Sequence, residues 1–463
     1  MRTMPMKTAL AAATALALAG CAVGPDYLRP EMDLPAQVAA VQSSVPAPAA
    51  WWTVFGDPVL DRLVDEAIGA NRDLAAAAAR IEQARAQGAI THADQLPSAG
   101  LDVSRSRDRA SERGSFPLPP DAIETNTNRA VVRVSWALDF WGRYRRASEA
   151  ARADLLAAEA GRDAVRASLV ADVARAHFAL QALDRSLAVA VRTLEGRRVA
   201  LDLLRKRLAA GVISELEIRQ FEAEVHAAEA AVPALERDRH RQEGALAILL
   251  GRSPRAVMEA KVDRGSGATP DTVEVPAGLP SELLRRRPDL REAEARLMAA
   301  NARIGVARAA YYPSVSLTGF LGGESQSLSD LFSGPARTWS LAAGLLQPLY
   351  GGGQIRGGVD LADARTREAA ANYELAVARA FKEARDAIAL QSTARENLAA
   401  RRAQETALAR ALELAKIRYE AGMTGLLELL DAERQLLAVR LGAIDADRDR
   451  RNAVIDLYLA LGA

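Results

Sequence analysis

The stretch DLAAAAARIEQARAQGAITHADQLPS, Asp73 to Ser98, returns without a gap as DLREAEARLMAANARIGVARAAYYPS, Asp289 to Ser314. Both copies open on Asp-Leu, carry an arginine at the matching place (Arg80 and Arg296) and close on Pro-Ser, at an offset of 216. Farther on, Arg207-Leu-Ala-Ala-Gly211 returns as Arg418-Tyr-Glu-Ala-Gly422, and Leu250-Gly251 returns as Leu461-Gly462, both at an offset of 211. Each copy reads as helix, strand pair, very long helix, glycine turn and helix. A chain built this way is a wall element of something larger, not the shell of a pocket.

A strand signature comes directly after each Pro-Ser. Ala99, Leu101 and Val103 alternate with Ser98, Gly100, Asp102 and Ser104, the period of two that a half-apolar strand requires. After a polar loop (Arg105 to Asn128), Val132, Val134, Trp136, Leu138 and Phe140 alternate with Arg133, Ser135, Ala137 and Asp139. In the second copy Val315, Leu317 and Leu321 alternate with Ser314, Ser316 and Thr318. Trp339, Leu341, Ala343 and Leu345 then alternate with Ser340, Ala342 and Gly344. Strands are expected at about 97–107, 129–140, 313–322 and 338–349. Of 21 aromatic residues, 11 lie within 116–144 or 311–350, which favours the aromatic girdles of a membrane β-barrel. A soluble hairpin with one buried face is the alternative.

The rest is helical. Pattern runs from Pro58 to Gln95, and from about Arg145 to Ala210 it makes one long helix. There Val173, Leu180, Leu187, Leu194, Leu201 and Leu208 recur every seventh residue, with Leu169, Ala176, Leu183 and Leu204 in the companion position. Such a seam packs as a coiled coil. Gly211 and Gly422 read as helix-terminating turns, and Pro233 is expected to kink or split the returning helix. The boundaries are then 1–20, 21–57, 58–262 for the first repeat, 263–280 for a linker and 281–463 for the second repeat.

Arg2 and Lys7 precede an apolar run, Ala9 to Ala19, that ends at Leu18-Ala19-Gly20-Cys21. This is the layout of a secretory signal peptide. Cys21 is the one cysteine, so no internal disulfide exists. Leu-Ala-Gly-Cys is the shape of a bacterial lipobox, where the thiol is acylated; an ordinary cleavage site is the alternative. Ala22 follows rather than Asp, which favours the outer membrane. No later run of about 18 apolar residues offers a transmembrane helix.

Net charge is +1 over 463 residues, which argues against nucleic acid. His92, His177, His226 and His240 have no partner at metal-ligand spacing and read as surface residues of helices. Gly351-Gly-Gly-Gln-Ile-Arg-Gly357 lacks the Lys-Ser/Thr of a phosphate loop and reads as a strand-to-helix corner. No nucleophile–base set stands out, so neither an enzyme nor a cofactor is expected.

Strands in a bilayer cannot leave edges unpaired, because no water satisfies their backbone. Four strands cannot close a barrel. Two copies would make eight strands and a filled lumen, whereas three make twelve, wide enough for water. Arg133, Ser135, Asp139, Ser314, Ser316 and Thr318 would then line a pore.

Several short motifs, in order, resemble the lipoprotein branch of the TolC-like outer-membrane factor family over nearly the whole chain. They are Leu-Ala-Gly-Cys21-Ala-Val-Gly-Pro-Asp-Tyr27 with Arg29-Pro30, then Trp51-Trp52 and Phe55-Gly-Asp-Pro58. Asn71-Arg-Asp-Leu74, Arg287-Pro-Asp-Leu290 and the two glycine turns complete the set. The resemblance implies a trimer, with a mixed α and β membrane fold: a twelve-stranded β-barrel continued by a long α-helical coiled-coil barrel. It implies a drug-efflux exit duct in the outer membrane, working with a periplasmic adaptor and an inner-membrane RND-type transporter. It places Tyr419, Glu428 and Asp431 at the periplasmic gate. It also places Arg207, Gly211, Val212, Ser214, Arg418, Gly422, Met423 and Thr424 at the adaptor-contacting tips. Some members carry an arginine where this chain has Thr424, so a gate locked by that ion pair does not carry over. A solvated charged face remains the alternative for the two acids. A protein-secretion duct of the same fold, or a lipid-anchored coiled-coil scaffold without a pore, remains the alternative for the whole chain.

Overall fold

The computed structural model describes residues 22–34, 50–113, 119, 123–259, 262–265 and 285–462. The signal peptide, Cys21, Phe116-Pro-Leu118 and linker residues 266–280 lie outside them. In order come a short 3-10 turn (Trp51–Phe55), α1 (Pro58–Ala70), α2 (Arg72–Ala93), β1 (Ser98–Arg109), β2 (Glu124–Leu138), α3 (Arg143–Ala209), α4 (Glu215–Leu249) and α5 (Pro254–Glu259). The second copy supplies α6 (Pro288–Ala309), β3 (Ser314–Ser325), β4 (Arg337–Leu346), α7 (Gln354–Glu420) and α8 (Leu426–Ala460). The duplication is kept in length: α3 and α7 each have 67 residues, α4 and α8 each 35. At ~1.5 Å per residue the longer pair runs about 100 Å.

The chain divides into two compact units. One holds Met1–Glu31, Arg80–Glu159 and Glu292–Glu374; the other holds Met32–Ala79, Ala160–Arg291 and Leu375–Ala463. The first contains a four-stranded antiparallel sheet in the order β1-β2-β3-β4. Its strands are longer than hydrophobic alternation shows, because Ser104–Arg109 pairs residue by residue with Glu124–Arg129. Backbone pairing needs no apolar side chain, so the pattern marks only the apolar part of each ladder. At the other end Asp139 has left the strand. Its carboxylate accepts the N–H of Arg145 at 2.9 Å, which makes it a cap of α3 rather than a lumen residue.

The second unit has a continuous apolar core. Trp51 stacks on Tyr458 with ring centroids 5.4 Å apart, and Phe55 meets Phe178 edge-on at 4.8 Å. Around them pack Leu60, Val64, Leu180, Leu246, Leu250 and Ile455. The heptad residues Val173, Leu180, Leu194 and Leu201 are buried, as the seam requires.

Two expectations fail here, and a third in part, for identifiable reasons. The helix expected over 58–95 breaks at Asn71, which has extended backbone (φ −61°, ψ 134°). Its side-chain oxygen accepts from Asp73 and Leu74 N–H while its Nδ2 donates to the Leu249 carbonyl. Pro233 does not split α4, which runs Glu215–Leu249 with the proline on its exposed side. The proline costs one backbone hydrogen bond, and the packed remainder of the helix outweighs it. His177 is fully buried, not on the surface: its Nε2 lies 2.8 Å from Asp57 Oδ2.

Each repeat also closes on itself. Asn71 holds the carbonyl of Leu249, and Arg287, its counterpart, donates to the carbonyl of Ala460 at 3.4 Å. The Leu-Gly doublets sit at those same closures. A Cβ on Gly251 (φ +67°) would stand 2.1 Å from the Ala70 carbonyl oxygen, and one on Gly462 (φ +79°) 2.9 Å from Arg287 N. Glycine is required at both by backbone angle and by space.

Candidate functional site

The sheet is the first functional surface. Directly paired residues share a face, so each ladder rung can be read across all four strands. Leu101, Val132, Leu321 and Trp339 form one rung, and Ala99, Val134, Gly319 and Leu341 the next. Trp136, Leu317 and Ala343, then Leu138, Val315 and Leu345, continue the same face. Most of these apolar side chains are bare: Trp339 is 71% exposed, Leu341 78% and Leu345 69%, while Leu138, Val315 and Leu317 are half-buried. A water-facing sheet would not hold so much uncovered apolar surface.

The opposite face is mainly polar, with Val131, Phe320 and Leu346 among its apolar members. It carries Ser98, Asp102, Arg133, Ser135, Ser316, Thr318 and Ser340. Arg133 lies 3.6 Å from Asp102, and Ser98 shares a 2.8 Å hydrogen bond with Ser135. All the lumen residues read from the sequence fall on this face except Asp139. At the helix end of the strands, Trp141 donates to the Pro313 carbonyl and stacks on Tyr312 at 4.7 Å. Trp136 donates to the Gln95 carbonyl at 2.9 Å. Aromatic rings with an anchored N–H at the edge of an apolar band are what a membrane interface selects. No helix among the described residues is long and apolar enough to cross a membrane.

The second surface is the pair of helical tips. At the first, Gly211 (φ +73°) donates to the Leu208 carbonyl and Val212 N–H reaches back to Arg207. At the second, Gly422 (φ +71°) donates to Tyr419 and Met423 to Arg418. This is the same Schellman termination twice, with the backbone carbonyls of Arg207 and Arg418 as the matching acceptors. The tips differ one step later. Ser214 caps α4 in a reciprocal capping box with Glu217, whereas its counterpart Gly425 starts α8 with no side-chain cap. Both tips share a core of Leu201, Leu204, Ile218, Phe221, Leu426 and Leu430, with Ile213 and Tyr419 against it. Val212 and Met423 stand exposed.

Around the second tip, Glu428 and Asp431 are exposed and face arginines of their own chain. Arg418 lies 3.9 Å from Glu428 and Arg434 3.8 Å from Asp431, and Gln435 donates to Asp431 at 2.6 Å. The buried hydroxyls of Tyr419 and Thr424 have no hydrogen-bond partner among the described residues. Glu433 went unnoticed in the sequence; burial first, then Glu224, push its carboxyl above the usual range. Its position one turn from Leu429 and Leu430 was the available signal.

A buried polar network in the second unit was also missed. Asp57 accepts from Val59 and Leu60 N–H and meets His177. Gln181 links this pair to Arg451, and Arg451 to Asp447. Burial alone would raise the Asp57 carboxyl, but His177 and the two backbone N–H groups hold it at about 2. For Asp447 burial is likewise outweighed, by Arg451, Arg185 and Arg450, and its carboxyl is lowered. No cluster among the described residues has the makings of a metal site.

A sheet apolar on one side, polar on the other and continued by long helices is the wall of a membrane channel. A family profile agrees: that of the outer membrane efflux protein matches residues 63–252 and 279–463, one stretch per repeat. The chain is 35% identical to the cation efflux system protein CusC of Escherichia coli over 454 residues, covering 97% of this chain and 96% of that protein. It is 33% identical to the probable outer membrane lipoprotein SilC of Salmonella typhimurium, covering 98% of each. The CmeC outer membrane channel of Campylobacter jejuni superposes with a TM-score of 0.91 at 26% identity, over 96% of this chain and 95% of that one. The protein belongs to the outer membrane efflux protein family and is an outer-membrane efflux channel.

Proposed function

We propose that three copies assemble into one exit duct, each lending four strands to a twelve-stranded barrel and its long helices to the tube beneath. The observation that carries this reading is the sheet. Within the described residues β1 and β4 have no partner on their outer sides, while the apolar face is suited to lipid. Hydrocarbon offers no hydrogen bonds, so those edges must be completed by identical copies. Twelve strands leave room for water where eight do not.

Acyl chains on Cys21 tether the duct to the inner leaflet of the outer membrane; the lipoprotein name of SilC supports this. The tips, with Arg207, Gly211, Val212, Ser214, Arg418, Gly422, Met423 and Thr424, dock a periplasmic adaptor. That adaptor links the duct to an inner-membrane RND-type transporter. Tyr419, Glu428 and Asp431 line the periplasmic mouth. The cargo is drugs or other small toxic compounds, and the name of CusC supports adding metal cations. The duct binds no cofactor and does no chemistry; it gives cargo a wet path outward.

Native mass spectrometry of the detergent-extracted mature protein, with conductance in planar bilayers, tests the reading. A three-chain mass and steady conductance are expected. A lone, non-conducting protomer overturns it.

A further inference from the structure

We propose that the membrane face ends, at its loop side, in a basic rim that binds the phosphate groups of the outer-leaflet glycolipid. The rim consists of Arg105, Arg107 and Arg109 on β1 and Arg337 on β4. The inference rests on the apolar face lying in lipid, and it adds a specific lipid partner to that face.

Ladder register places these arginines. On β1 the outward column reads Ala99, Leu101, Val103, Arg105, Arg107, Arg109, the last three paired to Asn128, Asn126 and Glu124 on β2. The column is apolar up to Val103 and basic above it. On β4 the outward column rises through Leu345, Ala343, Leu341 and Trp339 to Arg337, whose rung is Gly323, Ala130 and Val103. Both edge strands therefore switch from apolar to arginine within two residues of one rung: β4 at Arg337, level with Val103, and β1 at Arg105. From Leu138 to Ala130 the band spans eight residues, about 27 Å along the strand and roughly 20 Å in height at the usual tilt. That is slightly less than the ~25 Å apolar band of an outer-membrane barrel, so the arginines stand near its edge, at the headgroup boundary.

The end is fixed as well. Helices leave the sheet at its lower side, where Val23 N–H donates to the Trp141 carbonyl, two residues from Cys21. The hairpin loops and the four arginines are at the opposite, outer leaflet. In a Gram-negative outer membrane that leaflet is a glycolipid bearing phosphate monoesters. Arginine's fork matches phosphate in geometry and charge.

The charge count favours an anion. Glu124 takes Arg107 at 2.6 Å and Arg109 at 2.9 Å, and Glu112 also takes Arg109. Arg105 and Arg337 are exposed and have no ion pair among the described residues. Among the described residues, two carboxylates thus face four guanidinium groups. Closing the proposed barrel joins β4 of one copy to β1 of the next, which brings Arg337 to the edge where the β1 arginines stand.

The test uses the full-length, lipidated protein in non-ionic detergent. Lipid A with two phosphates, lipid A with one, and phosphatidylethanolamine are offered separately, and bound lipid is counted by native mass spectrometry at rising salt. Retention is expected to follow phosphate number and to fall with ionic strength. The combined Arg105→Gln, Arg107→Gln, Arg109→Gln and Arg337→Gln variant should lose about tenfold in lipid A retention, and the matching Lys variant should keep most of it. Arg337→Gln alone serves if the fourfold variant does not assemble, with a smaller loss expected. Equal retention of lipid A and phosphatidylethanolamine by the wild type, or undiminished lipid A retention by the Gln variants, overturns the proposal. Failure to hold any lipid overturns the membrane-face reading itself.

Discussion

Replacing Gly251 with alanine should do far more harm than the same change at Gly211, although both glycines have nearly equal φ, +67° and +73°. The shared cost is the left-handed backbone, about 1–2 kcal/mol for an L residue. At Gly211 nothing lies within 4 Å of the added Cβ, so that cost stands alone. At Gly251 the Cβ would meet the Ala70 carbonyl oxygen at 2.1 Å, its carbon at 2.4 Å and Asn71 N at 2.8 Å. All three are backbone atoms and cannot rotate away. The α1–α2 junction must shift, endangering the Asn71–Leu249 hydrogen bond, worth about 1 kcal/mol, and the fully buried Leu250, worth roughly 1.5–3 kcal/mol. The expected loss at Gly251 is therefore about 3–6 kcal/mol. Gly462→Ala falls between, since its contacts begin at 2.9 Å. Circular dichroism melting of the full-length variants at one scan rate gives the order, because unfolding here is read as a kinetic midpoint. Equal shifts for Gly251→Ala and Gly211→Ala would refute the claim that repeat closure, rather than glycine as such, is what the Leu-Gly doublets serve.

His177→Gln should destabilise the protein at neutral pH by returning the Asp57 carboxyl upward. A lowered carboxyl stabilises above its unfolded value near 4 and loses that effect as pH falls toward about 2. The gap between wild type and variant in denaturant midpoints should therefore close across that window, and a gap independent of pH would rule the pair out as its cause. Asp431→Asn should lower cation preference in planar bilayers on the order of twofold, since half of the six carboxylates proposed for the mouth are removed; unchanged reversal potentials would exclude Asp431 from it. Gly422→Trp should abolish drug resistance in cells while leaving assembled protein near wild-type level, because its side chain enters open space and only the left-handed backbone cost of about 1–2 kcal/mol is added. Loss of the assembled form instead would reduce that turn to a folding role.

The parts legible in the sequence were those written twice or written in a period. Pro97-Ser98 and Pro313-Ser314 announced both strand pairs, and the outward column Val132, Val134, Trp136 and Leu138 announced the lipid face. Strand ends were illegible because Ser104–Arg109 and Glu124–Arg129 pair through backbone alone, leaving no hydrophobic alternation to read. Asn71 was overlooked because helical spacing continues on both sides of it, and only its two-sided amide reveals the break. His177 looked like a surface residue because its partner Asp57 is 120 positions away. Local pattern finds elements; it does not find contacts closed by tertiary packing.

Duplication did not produce two equal hairpins, and the two tips show why. Their chain paths are the same, down to paired Schellman hydrogen bonds. At the first, Ser214 and Glu217 satisfy each other's backbone N–H groups, and Ile213 packs into the shared core. At the second, Gly425 provides no cap and Thr424, the counterpart of Ile213, carries a buried hydroxyl without a partner among the described residues. Glycine in place of serine at the cap costs only about a few tenths of a kcal/mol, but an unsatisfied buried hydroxyl costs about 1–3 kcal/mol. The α7–α8 hairpin is therefore the less firmly closed of the two, and it is the one that carries Tyr419, Glu428 and Asp431. If Tyr419, Glu428 and Asp431 line the mouth as proposed, the hairpin that carries them is the one whose turn is held by fewer bonds.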